Sequence, residues 1–106
     1  MDNRGLSYAE RVREESRLQA LRCLVEVPDY TAPDMLLHQA VLDKGLTVSL
    51  SGVRVELAWL NEQGLVVTQR PGGAAGFTIA TLTERGLDVA NGLSLVPGVA
   101  RPRPGA

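Results

Sequence analysis

The chain has 106 residues, of which 44% are apolar, 22% charged and 4% aromatic, a composition that suits one globular domain of modest core. Its 11 basic and 12 acidic residues leave a net charge of -1, which excludes the strong positive field with which most nucleic-acid-binding proteins attract phosphate. A single cysteine excludes an internal disulfide framework. The sequence also lacks an apolar run near the ~20 residues of a membrane span and a basic-then-apolar leader. We therefore expect a soluble, unprocessed, cytoplasmic protein that binds no membrane.

The first predicted helix covers residues 7–27, which contain neither proline nor glycine. Ser7 and Glu10 form the S-x-x-E pattern of a capping box at its start. Its first half is polar nearly all round, so we expect only the second half to pack on the core. The apolar residues at helical spacing in that second half are Leu18, Leu21, Leu24 and Val25.

The second predicted helix follows the break at Pro28 and runs to about Lys44, with Thr31 as its expected cap and Gly45 as its terminator. Asp34 in its first turn is favourable against the helix dipole. The expected apolar stripe of this helix consists of Leu36, Leu37, Ala40 and Val41.

The third predicted helix extends to Gln63 and ends at Gly64, with Ser49 and Ser51 as alternative caps. The core-facing residues at positions i, i+4 and i+7 are Val53, Leu57 and Leu60. At about 100° per residue, the outward-facing residues are then Ser51, Val55, Ala58 and Glu62, with Arg54 and Trp59 on the flanks.

Residues 65–70 and 77–82 have strand character and are separated by the glycine-rich turn of residues 71–76, which predicts a β-hairpin. Thr83 and Glu84 open a short helix that ends near Ala90. The last segment contains Pro97, Pro102 and Pro104, so we expect an extended or disordered tail. The predicted division is a domain at residues 1–92 and a tail at residues 93–106.

Two segments resemble winged helix-turn-helix proteins. Residues 53–66 match the pattern V-x-x-x-L-x-x-L-x-x-x-G-L-V of a recognition helix entering a strand, and residues 82–90 match L-T-x-x-G-x-x-x-A, the entry to the helix after the wing. The whole chain, including V-P-G-V-x-R-P at residues 96–102, is similar to the short, ArsR-like winged-helix proteins of Mu-like transposable phages. The resemblance implies an α+β fold with three helices, a two-stranded β-hairpin wing and a short C-terminal helix.

The resemblance also implies a DNA-binding transcriptional regulator of phage or prophage type, because a helix fits the major groove while a hairpin beside it reaches the backbone. One weakly charged module offers few phosphate contacts, so we expect a homodimer on double-stranded DNA. The candidate DNA-binding residues are Ser49, Ser51 and Arg54 in the third helix, Gln69 and Arg70 at the base of the wing, and Arg101 and Arg103 in the tail.

Each candidate arginine has an alternative interpretation. Arg54 is interpreted either as a contact to guanine or phosphate or as a surface ion pair with a nearby acid. Arg70 is interpreted either as a phosphate contact or as a solvated side chain. Arg101 and Arg103 form a minor-groove arm, or they belong to a loose solubilising tail.

The third helix also supports a different hypothesis, since its outward face has few hydrogen-bond donors. In that alternative, the domain is a protein-interaction module, such as a phage accessory or assembly factor, that binds its partner through Leu50, Val55 and Ala58. Trp59 belongs either to such a partner surface or, as we expect, to the core, where it would lock the third helix against the wing.

The sequence shows no Ser-His-Asp set, paired-carboxylate spacing or cofactor fingerprint, and the glycines of residues 71–76 lack the lysine of a phosphate-binding loop. His38, the single histidine, has no set of metal ligands at suitable spacing, and Cys23 is expected to pack as an inert side chain. We expect no enzyme, no cofactor and no metal ion.

Overall fold

The computed structural model describes residues 5–73 and 76–103, which form four helices and one three-stranded antiparallel sheet. This architecture is α+β and is compatible with a winged helix. The helices are α1 (Tyr8–Glu26), α2 (Asp34–Asp43), α3 (Leu50–Glu62) and α4 (Glu84–Ala90), and the strands are β1 (Thr31–Pro33), β2 (Val66–Gln69) and β3 (Ile79–Leu82). Within these described ranges, no helix is long and apolar enough to cross a bilayer.

Short side chains cap three of the helices. The capping box of α1 is confirmed, since Ser7 Oγ accepts the Glu10 N–H at 3.1 Å and the Glu10 carboxylate accepts the Ser7 N–H at 3.2 Å. Of the two predicted caps of α3, it is Ser49 that accepts a backbone N–H, from Gly52 at 3.0 Å. Thr83 caps α4 as expected.

The prediction of a two-stranded hairpin is wrong in one respect, because β1 extends the sheet to the order β1-β3-β2. Thr31, predicted to cap α2, instead pairs with Thr81 of β3, and their hydroxyl oxygens are 2.9 Å apart. The α2 helix begins at Asp34 without a side-chain cap. A strand of three residues is too short to show alternation, and only its partner strand makes it regular.

The core lies between the helices and the buried face of the sheet. Its largest fully buried side chains are Leu18, Leu21, Leu24, Leu37, Val41, Val53, Leu57, Leu60, Leu65 and Val66. The predicted core face of α3 is therefore confirmed. The predicted stripe of α2 is too wide, because Leu36 is exposed while Leu37 and Val41, four residues apart, fill the interface.

The last described segment, residues 93–103, contains no helix or strand, but it is not a loose tail. Val96 and Val99 are buried in the core, and the Ala100 N–H donates to the carbonyl of Glu14 in α1 at 3.2 Å. Packing against α1 therefore orders a segment whose composition alone suggested disorder. The predicted division after residue 92 stays a prediction. Residues 1–4, Ala74 and Ala75 of the predicted turn, and residues 104–106 lie outside the described residues.

Gly86 is the glycine of the L-T-x-x-G pattern, and its surroundings explain why glycine is required there. A side chain at this position would overlap the carbonyl oxygen of Leu65, which accepts the Thr83 N–H at 3.1 Å. The Thr83 hydroxyl also donates to the Gly64 carbonyl at 2.7 Å. The start of α4 is thereby fixed against the turn between α3 and β2.

Candidate nucleic-acid interface

The outward face of α3 has the predicted residues. Ser51, Val55, Ala58 and Glu62 are all exposed, and Leu50 is half-buried. Ser49 is exposed, and its oxygen both caps the helix and lies 3.1 Å from Ser51 Oγ. Ser51 is thus the serine of this pair whose hydroxyl is free of the cap, and the face offers few donors besides the arginine on its flank.

That arginine, Arg54, forms an ion pair with a carboxylate of α2. Its Nε donates to Asp34 Oδ2 at 2.6 Å, and the Arg54 side chain is 36% exposed whereas that of Asp34 is 0% exposed. The same oxygen accepts the Thr78 N–H at 3.0 Å, and the Asp34 N–H donates to the Thr78 carbonyl at 2.8 Å. The ion-pair alternative for Arg54 therefore describes the free protein, and its acid is buried rather than on the surface.

The charge state of Asp34 follows from these contacts. Burial favours the neutral carboxyl, but hydrogen bonds from the Thr78 N–H and Arg54, together with the positive charge of Arg54, outweigh burial and lower the pKa of Asp34 below its ordinary value of 3.8. Asp34 is consequently ionised at neutral pH and binds Arg54 as a carboxylate.

The wing is joined to the other end of α3. Asn61 Oδ1 accepts the Thr68 N–H of β2 at 3.3 Å, so the end of α3 is hydrogen-bonded to the first strand of the hairpin. Gln69 and Arg70 are exposed at the base of the wing, as the DNA hypothesis requires. An Nη atom of Arg70 lies 3.5 Å from the Gly76 carbonyl, across the turn.

The tail arginines are placed on a different side. Arg103 donates to Glu15 Oε1 of α1 at 2.7 Å, and Arg101 is exposed. The segment that carries them packs on α1 and on the flank of α3 formed by Trp59. Arg103 is therefore held by α1 in this structure and is not part of a free arm.

A second cluster of charges, which the sequence analysis missed, joins α1 to α3. Glu56 is buried and accepts Arg17 Nε at 2.7 Å and Arg13 Nε at 3.1 Å. We call these three residues the Glu56 cluster. It corrects the expectation that only the second half of α1 packs on the core. A signal was available: position 56 lies within the apolar stripe of Val53 and Leu60, and a carboxylate there requires a buried cationic partner.

Trp59 packs beside this cluster. The guanidinium of Arg17 lies 3.9 Å from the centre of the indole ring, and Arg17 Nη1 donates to the Gly98 carbonyl at 2.8 Å. The indole is half-buried against the core, but α1 and the last segment cover it. The expectation that Trp59 packs against the core is confirmed. The expectation that it holds α3 against the wing is wrong, because it holds α3 against α1 and the last segment.

Several large apolar side chains near α3 and the wing are exposed. Besides Val55 they are Met35 at the start of α2, Val67 in β2 and Phe77 just before β3. Met35 and Phe77 directly adjoin Asp34 and Thr78, which are hydrogen-bonded to each other. The exposure of these apolar side chains is the observation that favours a protein partner.

Residues with metal-binding or reactive side chains are dispersed. Within the described ranges no three His, Cys, Asp or Glu side chains are close enough to hold a metal ion. His38 Nε2 is 2.7 Å from the Val48 carbonyl and ties α2 to the segment before α3. Burial, followed by the nearby Glu26, raises the pKa of the Cys23 thiol, which lowers its reactivity.

Comparison with known proteins identifies relatives of phage type. The chain is 41% identical over 93 residues to uncharacterized protein gp26 of Escherichia phage Mu, a match that covers 88% of this chain and 93% of the relative. It is 33% identical over 82 residues to an uncharacterized protein of Haemophilus influenzae, covering 77% of this chain and 78% of that protein. No family model and no solved structure matches the chain.

These matches define the chain first as a small protein of phage type with an α+β fold. More particularly, it belongs to the family that includes gp26 of phage Mu. The predicted kinship with Mu-like phages is confirmed, whereas neither relative bears a winged-helix or ArsR-like name.

Proposed function

We propose that the protein is a winged-helix protein that binds double-stranded DNA and regulates transcription for a phage or prophage in the bacterial cytoplasm. The observation that carries the proposal is the placement of α3. Its outward face is exposed, and the hairpin β2–β3 lies beside it, joined to it by the hydrogen bond from the Thr68 N–H to Asn61. A helix and an adjacent hairpin of this kind fit the major groove and the flanking backbone.

The charges available for this binding are few. Arg54 flanks the helix face, Arg70 lies at the base of the wing, and both side chains reach solvent. Two phosphate contacts, one from each arginine, would give a slope of log affinity against log salt of roughly -2, shallower than for most regulators. We therefore expect weak, weakly salt-dependent binding by one copy, and a homodimer that doubles the contacts at a specific site.

The test is fluorescence anisotropy of a labelled short duplex of random sequence, titrated with the full chain between about 50 and 200 mM salt. Binding in the micromolar range at low salt, weakened by Arg70→Ala, is expected. Arg11→Ala is the matched control, because it removes the same charge from the exposed first half of α1. An unchanged anisotropy at micromolar protein and the lowest salt would rule out the proposal.

A second candidate function is a protein-interaction module. It is favoured by the exposed Val55 and its apolar neighbours Met35, Val67 and Phe77. The wild-type chain and Val55→Lys are compared as baits in a nuclease-treated lysate of phage-producing cells. A phage protein retained by the wild type and lost by the variant supports this function. If a parallel lysate without nuclease yields only nucleic acid and the treated lysate yields no phage protein, this function is contradicted.

A further inference from the structure

We propose that Asp34 is a positioning residue for DNA contact, which holds Arg54 by Nε so that its two terminal nitrogens face a pair of acceptors on double-stranded DNA. The inference rests on the proposed DNA binding and adds to it the group that makes the contact and the residue that aims it. The pair of acceptors is either guanine O6 with N7 or two phosphate oxygens, since both fit a guanidinium end-on.

The geometry of the ion pair leaves the required groups available. Of the three nitrogens in the Arg54 guanidinium, only Nε donates to Asp34 Oδ2, at 2.6 Å. Among the residues that the structure describes, Nη1 and Nη2 of Arg54 have no hydrogen-bond partner, and the side chain is partly exposed. The end of the guanidinium therefore keeps a planar fork of donors, and the bond at Nε limits the directions in which that fork points.

Stability alone accounts poorly for this carboxylate. Asp34 is fully buried, and within the described residues its second oxygen, Oδ1, makes no hydrogen bond of ordinary geometry, although the Met35 N–H also favours the carboxylate. The contacts of Oδ2 outweigh the cost of burial, but apolar side chains of similar volume often join two helices at least as well as a buried ion pair does, so stability alone does not require a carboxylate here. Such a group is understandable where the arginine that it holds has a further task.

The position of Arg54 is also set relative to the wing. The oxygen that accepts Arg54 Nε accepts the N–H of Thr78, which immediately precedes β3. One carboxylate oxygen of α2 thus joins α3 to the start of the second wing strand. A duplex that contacts both α3 and the wing meets Arg54 at a fixed distance from the hairpin.

If Asp34 positions Arg54, removing the charge of Asp34 changes DNA affinity in the direction opposite to that expected from net charge alone. The negative charge of Asp34 lies beside Arg54. Removing that charge would strengthen DNA binding if Asp34 merely neutralised Arg54 or held it away from DNA. If Asp34 aims Arg54, removing the charge weakens binding. The isosteric Asp34→Asn separates the two cases.

The experiment measures anisotropy with two duplexes, one of alternating A·T and one of alternating G·C sequence, for the full-length wild type, Asp34→Asn, Arg54→Ala and the double variant. Glu62→Gln is the matched control, because it removes a carboxylate from the exposed face of α3. Circular dichroism confirms that each protein is folded at the temperature of measurement. Should Asp34→Asn fail to fold, Arg54→Lys replaces it: the charge is kept and the fork is lost.

We expect Arg54→Ala to weaken binding by about 5- to 100-fold, Asp34→Asn and Arg54→Lys to weaken it several-fold, and Asp34→Asn to have no added effect when Arg54 is already alanine. Loss confined to the G·C duplex identifies guanine as the acceptor; equal loss on both duplexes with a salt slope reduced by about 1 identifies phosphate. Unchanged or tighter binding by Asp34→Asn, or by Arg54→Lys in its place, overturns the inference. If the wild type itself fails to bind either duplex, it is the proposed function that fails.

Discussion

Two carboxylate–arginine pairs, Arg17–Glu56 and Arg54–Asp34, lie on different sides of α3, and they differ in how much of the arginine side chain reaches solvent. In the first pair, which forms the Glu56 cluster together with the 53% exposed Arg13, the side chains of Arg17 and Glu56 are both only 8% exposed, and Gly98 covers Arg17. In the Asp34 pair, the acid is fully buried while Arg54 is 36% exposed. Positions 54 and 56 are about 200° apart on a helix, so Arg54 and Glu56 point to nearly opposite sides of α3.

The difference separates two uses of the same chemistry. The Arg17–Glu56 pair is covered at both ends and fixes α1 against α3, while the exposed Arg13 adds a second contact from α1. A pair that is covered at the acid and open at the arginine fixes α2 against α3 and still presents donors. The following predictions test whether this division between a structural and a binding pair holds.

The largest effect is expected from Glu56→Ala, which leaves Arg17 buried beside Trp59 without its carboxylate. Removal of one partner of a buried pair costs about 3–5 kcal/mol, so the free energy of unfolding in urea should fall by that amount. Glu62→Ala, an exposed position of the same helix, should change it by less than about 0.5 kcal/mol. A loss below about 1 kcal/mol for Glu56→Ala would show that the cluster does not stabilise the fold.

Gly98→Ala should have the next largest effect. The backbone of Gly98 has a φ of +99°, and a Cβ there would come within 2.7 Å of the Trp59 ring and 3.2 Å of Arg17 Nη1. We expect a destabilisation of roughly 1–3 kcal/mol and a red-shifted Trp59 emission as the segment lifts from the indole. Gly45→Ala is the control, because Gly45 also has positive φ but open space around it. Equal losses in both variants would mean that the packing of Gly98 on Trp59 contributes nothing.

A smaller effect, a change of stability with pH at acid pH, is expected from the Asp34 pair. Because the pKa of Asp34 is lower in the folded than in the unfolded protein, the ionised carboxylate contributes stability that is complete above the unfolded value and is lost as the pH falls through the folded value. The difference in unfolding free energy between wild type and Asp34→Asn should therefore be constant near neutrality and shrink below about pH 4. A difference that grows on acidification would contradict this assignment.

The smallest change in stability, under about 0.5 kcal/mol, is expected for Val55→Lys on the exposed face of α3. The added cation should nevertheless tighten binding to a random duplex several-fold at low salt, with a steeper salt slope. Val67→Lys, in the wing, gives a second position for comparison. No change in affinity for DNA at either position would favour the protein-interaction function.

Local sequence patterns predicted what depends on neighbours along the chain. The capping box of Ser7 and Glu10, the core face of α3 and the strands of the hairpin all follow from spacings of a few residues. The glycine of the L-T-x-x-G pattern is likewise explained by one close backbone approach.

Features that depend on distant partners were not predictable in this way. Strand β1 exists because Thr31 meets Thr81, and Arg54 reaches an acid 20 positions earlier. Glu56 and Arg17 are 39 positions apart. A single sequence shows that each of these residues is charged or β-branched but not which other residue it will meet.

The contact between Arg17 and the Gly98 carbonyl spans 81 positions, and Arg103 and Glu15 are 88 positions apart. The segment that covers Trp59 is therefore synthesised after α1, α3 and the sheet. Closure of so long a loop adds little entropy cost beyond that of a shorter one, but it raises the mean sequence separation of contacts, which slows folding. Because that segment packs on the indole of Trp59, tryptophan emission is a direct measure of its docking during folding.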